Sequence, residues 1–300
     1  MTQIAFVKTH DRAAGIEEAL DLLEFGDLDD QRVFLKPNFN SADPFPGSTH
    51  NDTLVALIRE LQARDAGAII VGDRSGMGHT RRVMEQKGIF TLSKELGVRT
   101  LVFDDLDADE WEIINLPGSH WKRGFAVPRP VLDADVVIQT CCLKTHRFGG
   151  HFTLSLKNTI GLVAERVPGQ RHNYMRELHG SPHQRLMIAE ANAPYQPDLV
   201  VMDGLSAFTE GGPARGKRVE PGVVLAGTDR VAIDAVGVAI LRHYGTTPAV
   251  SRGPIFEQEQ LARAIELELG VDDPEEIELV TPDATSQAFA AEITDILTRR

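Results

Sequence analysis

Nowhere in the chain do eighteen apolar residues follow one another, and Met1 to His10 holds no basic stretch leading into an apolar run of signal length. Neither a spanning helix nor a secretory leader is expected, so the reading is a cytoplasmic protein with no membrane partner. Cysteine is nearly missing. The two present, Cys141 and Cys142, are adjacent, and neighbours in an extended segment point to opposite faces. They are badly placed to pair with each other, and no iron-sulfur cluster is expected, because such a cluster normally takes four thiolates. Basic charge is short as well: 31 Lys and Arg stand against 44 Asp and Glu, a net charge of -13. A phosphate-coated partner is therefore not expected, since nucleic-acid binders gather cations. Also absent are G-x-G-x-x-G after a strand, the Walker lysine motif, the G-x-S-x-G elbow and H-E-x-x-H. Their absence removes the usual dinucleotide, P-loop, serine-hydrolase and zinc-protease readings.

What is present is a chain of 300 residues, 42% hydrophobic, long enough to bury one large core or two moderate ones without disulfides. Apolar runs alternate with helical patterns: Ile4 to Val7 then Gly15 to Phe25, Val33 to Leu35 then Asp52 to Ala66, Ala68 to Val71 then Thr80 to Gln86. That alternation predicts an α/β fold, a mostly parallel sheet with crossover helices. Asp52 reads as the N-cap of a helix whose buried stripe is Leu54, Leu57, Ile58 and Leu61. Trp111 to Pro130, rich in Gly and Pro, reads as hairpins, and two α/β lobes, 1–130 and 131–300, are expected to face each other across a cleft. Beyond it come a buried strand from Asp135 to Thr140, a polar stretch from Lys144 to Gly161, a His-rich mobile loop from Val167 to His183, and a strand Leu199 to Met202 that delivers Asp203 to a loop. A strand near Gly222 to Thr228, a helix from Arg230 capped by Asp229, and two amphipathic helices near 255–269 and 284–298 close the chain.

In open α/β sheets ligands gather at the carboxyl ends of parallel strands. Four such places are polar here: Lys36-Pro-Asn38, Asp73 to His79, Lys144-Thr-His146, and Asp203-Gly204. Lys144, His146, His151 and Lys157 lie within fourteen residues, beside Gly149-Gly150 and Asn158. A knot of ammonium groups and imidazoles is costly to assemble unless an anion or a metal balances it, so a small anionic ligand is the expected partner. Lysine supplies fixed charge or, desolvated, a nucleophilic amine, while histidine exchanges protons or ligates metal. His79, after Gly76-Met77-Gly78 and at a helix start, is a candidate acid or base. His179 and His183 have H-x3-H spacing suited to a metal, although Gly180-Ser181-Pro182 interrupts the helix such a pair requires.

These residues resemble the family named domain of unknown function 362. The matching stretches are Leu35-Lys-Pro-Asn38, Gly67 to Asp73, Lys144-Thr-His146, Leu154-Ser-Leu-Lys-Asn-Thr-Ile-Gly161, Met202-Asp-Gly204, Gly211-Gly-Pro213 and Asp229 to Ala235. Members are often fused to a ferredoxin module; this chain reads as the lone domain, without the cysteine series that electron transfer would need. In the order of its elements the chain is also similar to the lactate racemase family, which carries a nickel-pincer nucleotide. That resemblance implies roles for His79, for His146 ahead of Lys157, and for His179 or His183, with Ser155-Leu-Lys157 standing where the cofactor-bearing lysine lies. Taken together, the expectation is an enzyme acting on a small anionic or oxygen-rich metabolite by proton or hydride chemistry, isomerase-like or oxidoreductase-like. His79, His146, Lys144 and Lys157 are its catalytic set, and Lys36, Asn38, Asp73, His151, Asn158 and Asp203 bind its ligand. A divalent metal or a nucleotide-derived cofactor is admitted. The competing classes are a cofactor- or metal-carrying accessory protein that makes no bond, and a metal-dependent hydrolase.

Overall fold

The computed structural model describes residues 1–299. Its strands are β1 (Thr2–Lys8), β2 (Val33–Lys36), β3 (Ile69–Asp73), β4 (Arg99–Val102), β5 (Trp111–Ile114), β6 (Phe125–Pro128), β7 (Val136–His146), β8 (His151–Thr153), β9 (Leu199–Gly211), β10 (Gly216–Val219), β11 (Val223–Gly227) and β12 (Ile277–Val280). The main sheet has the order β12-β1-β11-β9-β7-β2-β3-β4, with β8 hairpinned onto β7 and β10 onto β9. From β9 to β4 every neighbour along that path is parallel, and the antiparallel departures surround β11. The α/β class read from the alternating pattern is what the chain adopts. β5 and β6 form the separate antiparallel hairpin expected between Trp111 and Pro130.

The sheet runs without a break past residue 130. β7 pairs with β2 on one side and with β9 on the other, and β1 lies between β11 and β12. Helices cover both faces. On one, the helix Asn51–Ala63 buries Leu54, Leu57, Ile58 and Leu61, each completely, which contributes roughly 1.5–3 kcal/mol apiece in apolar transfer. On the other, Arg230–His243 buries Val231 to Leu241 as a continuous run. A third cluster, with Trp111 and Trp121, fills the space under the β5–β6 hairpin.

Three local expectations need correction. The cap of Asn51–Ala63 is His50, whose ring accepts from the Asp52 backbone, so Asp52 belongs to the first turn. The Val167–His183 segment is not one loop: Asn173 caps a helix, Tyr174–Gly180, by accepting from the Arg176 backbone. The strand expected to stop at Thr140 continues through His146, because β8 and the far half of β9 supply partners for its backbone. Asp229 does cap Arg230–His243, accepting from the Ala232 backbone at 2.9 Å. Cys141 and Cys142 are free and buried in different clusters on opposite faces of β7. No helix among the described residues is long and apolar enough to cross a membrane.

Candidate functional site

Parallel pairing from β9 to β3 brings the carboxyl ends of β2, β3 and β7 to one edge, where a cavity of about 50 Å³ opens. Lys36 and Asp73, the last residues of β2 and β3, meet there at 2.8 Å, both buried. Lys36 also donates to the Pro37 carbonyl and to Asn158 Oδ1 at 3.1 Å. The Asp73 carboxylate accepts from the Phe39 and Arg74 backbones at 2.6 and 2.8 Å. Burial pushes the lysine down and the aspartate up, while their contact opposes both shifts. Wherever the proton sits, the pair sums to zero charge.

What remains around the cavity is cationic. Arg74, wholly enclosed, donates to the carbonyls of Val163, Ser75 and Ile160 at 2.7, 2.8 and 3.1 Å, and a guanidinium keeps its proton even so. Lys144 is 0% exposed and donates to the Gly47 carbonyl; burial is the main force lowering its pKa. Lys157 lies on the short helix Ser155–Asn158. Burial, then the charges of Lys144 and Arg74, brings its amine down to about 8. Among the described residues none of these three cations has a carboxylate at ion-pair distance. Asn38 Oδ1 and Asn40 Nδ2, on the same cavity, are buried without hydrogen-bond partners.

His146 ends β7 with its ring between this cavity and a wider cleft. The Gly150 backbone donates to its Nδ1 at 3.3 Å, so the neutral ring carries its proton on Nε2. Burial, with Lys157 and Lys144 next, holds its pKa far below the ordinary histidine range. A Cβ on Gly150 would stand 2.8 Å from Lys157 Cε and 2.9 Å from His146 Nδ1, so the glycine is what lets the lysine and the imidazole lie side by side. Asp234 holds Lys157's helix from beneath, accepting from Ser155 N at 2.7 Å, Ser155 Oγ at 2.6 Å and Leu156 N at 3.1 Å. Burial raises its carboxyl to about 7.

Of the residues singled out by sequence, Lys36, Asn38, Asp73, Lys144, His146, Lys157 and Asn158 line the one cavity. Others do not. His79 is exposed at the start of the helix Thr80–Gln86 and lies outside the lining of either cavity. Asp203 is inside β9, not in a loop, and holds Arg12 at 2.8 Å and the Thr53 hydroxyl at 2.5 Å. His151 faces His146 in register across the β7–β8 hairpin with φ 58°, and its charged neighbours are Arg185 and Glu259, away from the cavity. His179 borders the wider cleft, whereas His183 packs its ring 4.5 Å from that of His120. The metal pair proposed for them is thus split, and among the described residues no three His, Cys, Asp or Glu side chains converge to hold a metal. Of the residues for which the lactate racemase resemblance implies roles, His146, Lys157 and His179 border the same wider cleft, and His79 and His183 are not among its lining. The sequence reading gives Arg74 and Asn40 no role, and reads Asp234 only as an acid near a helix end. Arg74 follows Asp73 directly, and Asp234 is a lone acid in an apolar helix; both are signals that were open to view.

The family model described as Domain of unknown function (DUF362) matches residues 33–239. A thylakoid-associated protein of Synechocystis sp. is 28% identical over 218 residues, which take in 70% of this chain and 63% of that one. The chain therefore spans less than two thirds of that relative. Among solved structures, the lactate racemase apoprotein of Thermoanaerobacterium thermosaccharolyticum is similar over 79% of this chain and 57% of its own, at 14% identity and a TM-score of 0.49.

Proposed function

From the premise that this chain belongs to the DUF362 family, a domain of unknown function, we propose that it is an enzyme whose inner cavity takes the anionic head of a small metabolite and whose His146 and Lys157 exchange protons with it. The observation that carries the proposal is the convergence of Arg74, Lys144 and Lys157, none of them ion-paired with a carboxylate among the described residues, on a cavity only large enough for a carboxylate or phosphate. Cations without an ion-pair partner are expensive to desolvate, and an incoming anion supplies that partner. Burial and the neighbouring cations bring the Lys157 amine down to about 8, and His146 offers Nε2–H as a donor beside it. Chemistry next to a carboxylate, in which one group takes a proton and the other steadies the charge that develops, fits that pairing.

The test is amine labelling. Brief treatment with trinitrobenzenesulfonate, which reacts with neutral amines, followed by peptide mass spectrometry, should show Lys157 modified with a midpoint near pH 8, and inorganic phosphate should slow it. Labelling indifferent to phosphate would remove the anion site. Lys157→Met should abolish ligand retention while the chain still folds. With the metabolite that mass spectrometry finds retained on protein from its own host, His146→Gln should slow turnover by about a hundredfold or more while binding persists.

A further inference from the structure

Outside the inner cavity lies a second space of about 810 Å³, and the two share Asn40, Arg74, His146, Lys157 and Ile160 among other residues. Its character differs. Among the described residues the large apolar side chains left exposed are Met1, Met77, Ile113 and Phe148. Two of these, Met77 at 41% and Phe148 at 49%, stand on this one cleft, joined there by Ile160 and Met175. Scattered exposed apolar residues need no explanation, but two that meet on the rim of a cation-lined cavity do. Phe148 is positioned as a platform: His146 meets its ring edge-on at 5.8 Å, and the Arg147 guanidinium lies 4.7 Å from its centroid. Thioethers such as those of Met77 and Met175 make favourable, adaptable contacts with aromatic groups.

Resting on the anion reading given above, we infer that the ligand is an amphiphilic acid, with a compact anionic head for the inner cavity and an apolar, ring-bearing body lying between Met77 and Phe148 in the outer cleft. The head alone would leave the larger space to water and the two apolar side chains exposed. A body of ring size covers them while its acid reaches Lys157, because the two spaces are continuous through His146 and Lys157. Arg74 and Lys157, which line both spaces and stand in no ion pair among the described residues, select an acid over a neutral aromatic compound.

The experiment measures how two acids of equal charge protect Lys157 from trinitrobenzenesulfonate, acetate supplying the head alone and 3-phenylpropionate supplying head and body. 3-Phenylpropionate should protect at a concentration about tenfold or more below that of acetate. In the double variant Met77→Ser, Phe148→Ser that advantage should vanish while acetate protects as before. Because both side chains are exposed, the variant should unfold at the same temperature as the parent, which checks that the loss is local. Equal protection by both acids overturns the ring-bearing body and leaves the anion site standing. Protection by neither removes both readings. If the double variant keeps the advantage but changes the sedimentation behaviour, the apolar pair serves contact between copies of the chain and the inference is overturned.

Discussion

At the scale of single residues, the site depends on how closely groups are allowed to approach. A Cβ on Gly161 would stand 2.3 Å from Asp73 Oδ1 and 2.7 Å from Lys36 Nζ. Gly161→Ala should therefore force the buried pair apart, costing about 1–3 kcal/mol in urea unfolding and weakening phosphate protection of Lys157. Lys157 itself gives a pH signature. The folded chain lowers its amine from 10.5 to about 8, so between those values the unfolded chain holds a proton that the folded chain has released. In that window this group makes stability rise with pH, and below it the full cost of the buried charge is present. Lys157→Met should accordingly be more stable than the parent by on the order of 1–3 kcal/mol at pH 7, and the gap should close toward pH 10.5. A gap that ignores pH would show that the amine is not held in its desolvated place. Lysine, asparagine and histidine just past apolar runs could be picked out in the sequence because strand ends face the crevice, and the fold brings Lys36, Asn38, Lys144 and His146 to one cavity. His79 and Asp203 lie outside that lining, because their positions relative to a strand end are set by pairing partners far along the chain.

At the scale of elements, the decisive feature is the extension of β7 to His146. Cys-Cys-Leu-Lys-Thr-His has no clean alternation, since Lys144 is as buried as Leu143, and a buried lysine looks in sequence like the start of a loop. Only the late-arriving strands β8 and β9, the latter with a register shift opposite Cys142 and Leu143, show why the strand continues. The short helix Ser155–Asn158 is similar. Four residues cannot hold a helix alone, and the Asp234 carboxylate, 79 residues away in sequence, supplies what it lacks. Asp234→Ala would leave the Ser155 and Leu156 donors buried and unmatched, and should cost about 2–4 kcal/mol. Asp234→Asn keeps one acceptor oxygen and should lose less. The raised carboxyl also implies that stability from this group falls as pH climbs from 3.8 through about 7, because the folded chain holds the proton that the unfolded chain has given up. Denaturant titrations of parent and Asp234→Asn at pH 4.5 and 7.5 would reveal that slope as a difference between the two.

At the scale of the whole molecule, the alternation of apolar runs and helical patterns was enough to read an α/β sheet, because crossover units are local in sequence. The place of β1 between β11 and β12 was not readable, since nothing near Thr2 to Lys8 names partners more than two hundred residues away. That placement ties the two ends of the chain to one sheet, and unfolding should be a single event. Tryptophan fluorescence, reporting from Trp111 and Trp121, and far-ultraviolet circular dichroism should give one coincident urea midpoint; separated midpoints would show lobes that unfold independently. The same architecture divides the residues of the proposed site by what it costs to change them. Lys36 and Lys144 are set in strands whose neighbours belong to the packed interior, whereas Met77 and Phe148 sit in turns with open space before them. If the proposed site is right, a lineage descending from this chain can exchange the outer pair with little penalty to folding and acquire a new clientele, while the cations that would hold the anion stay locked to the sheet that makes the protein fold.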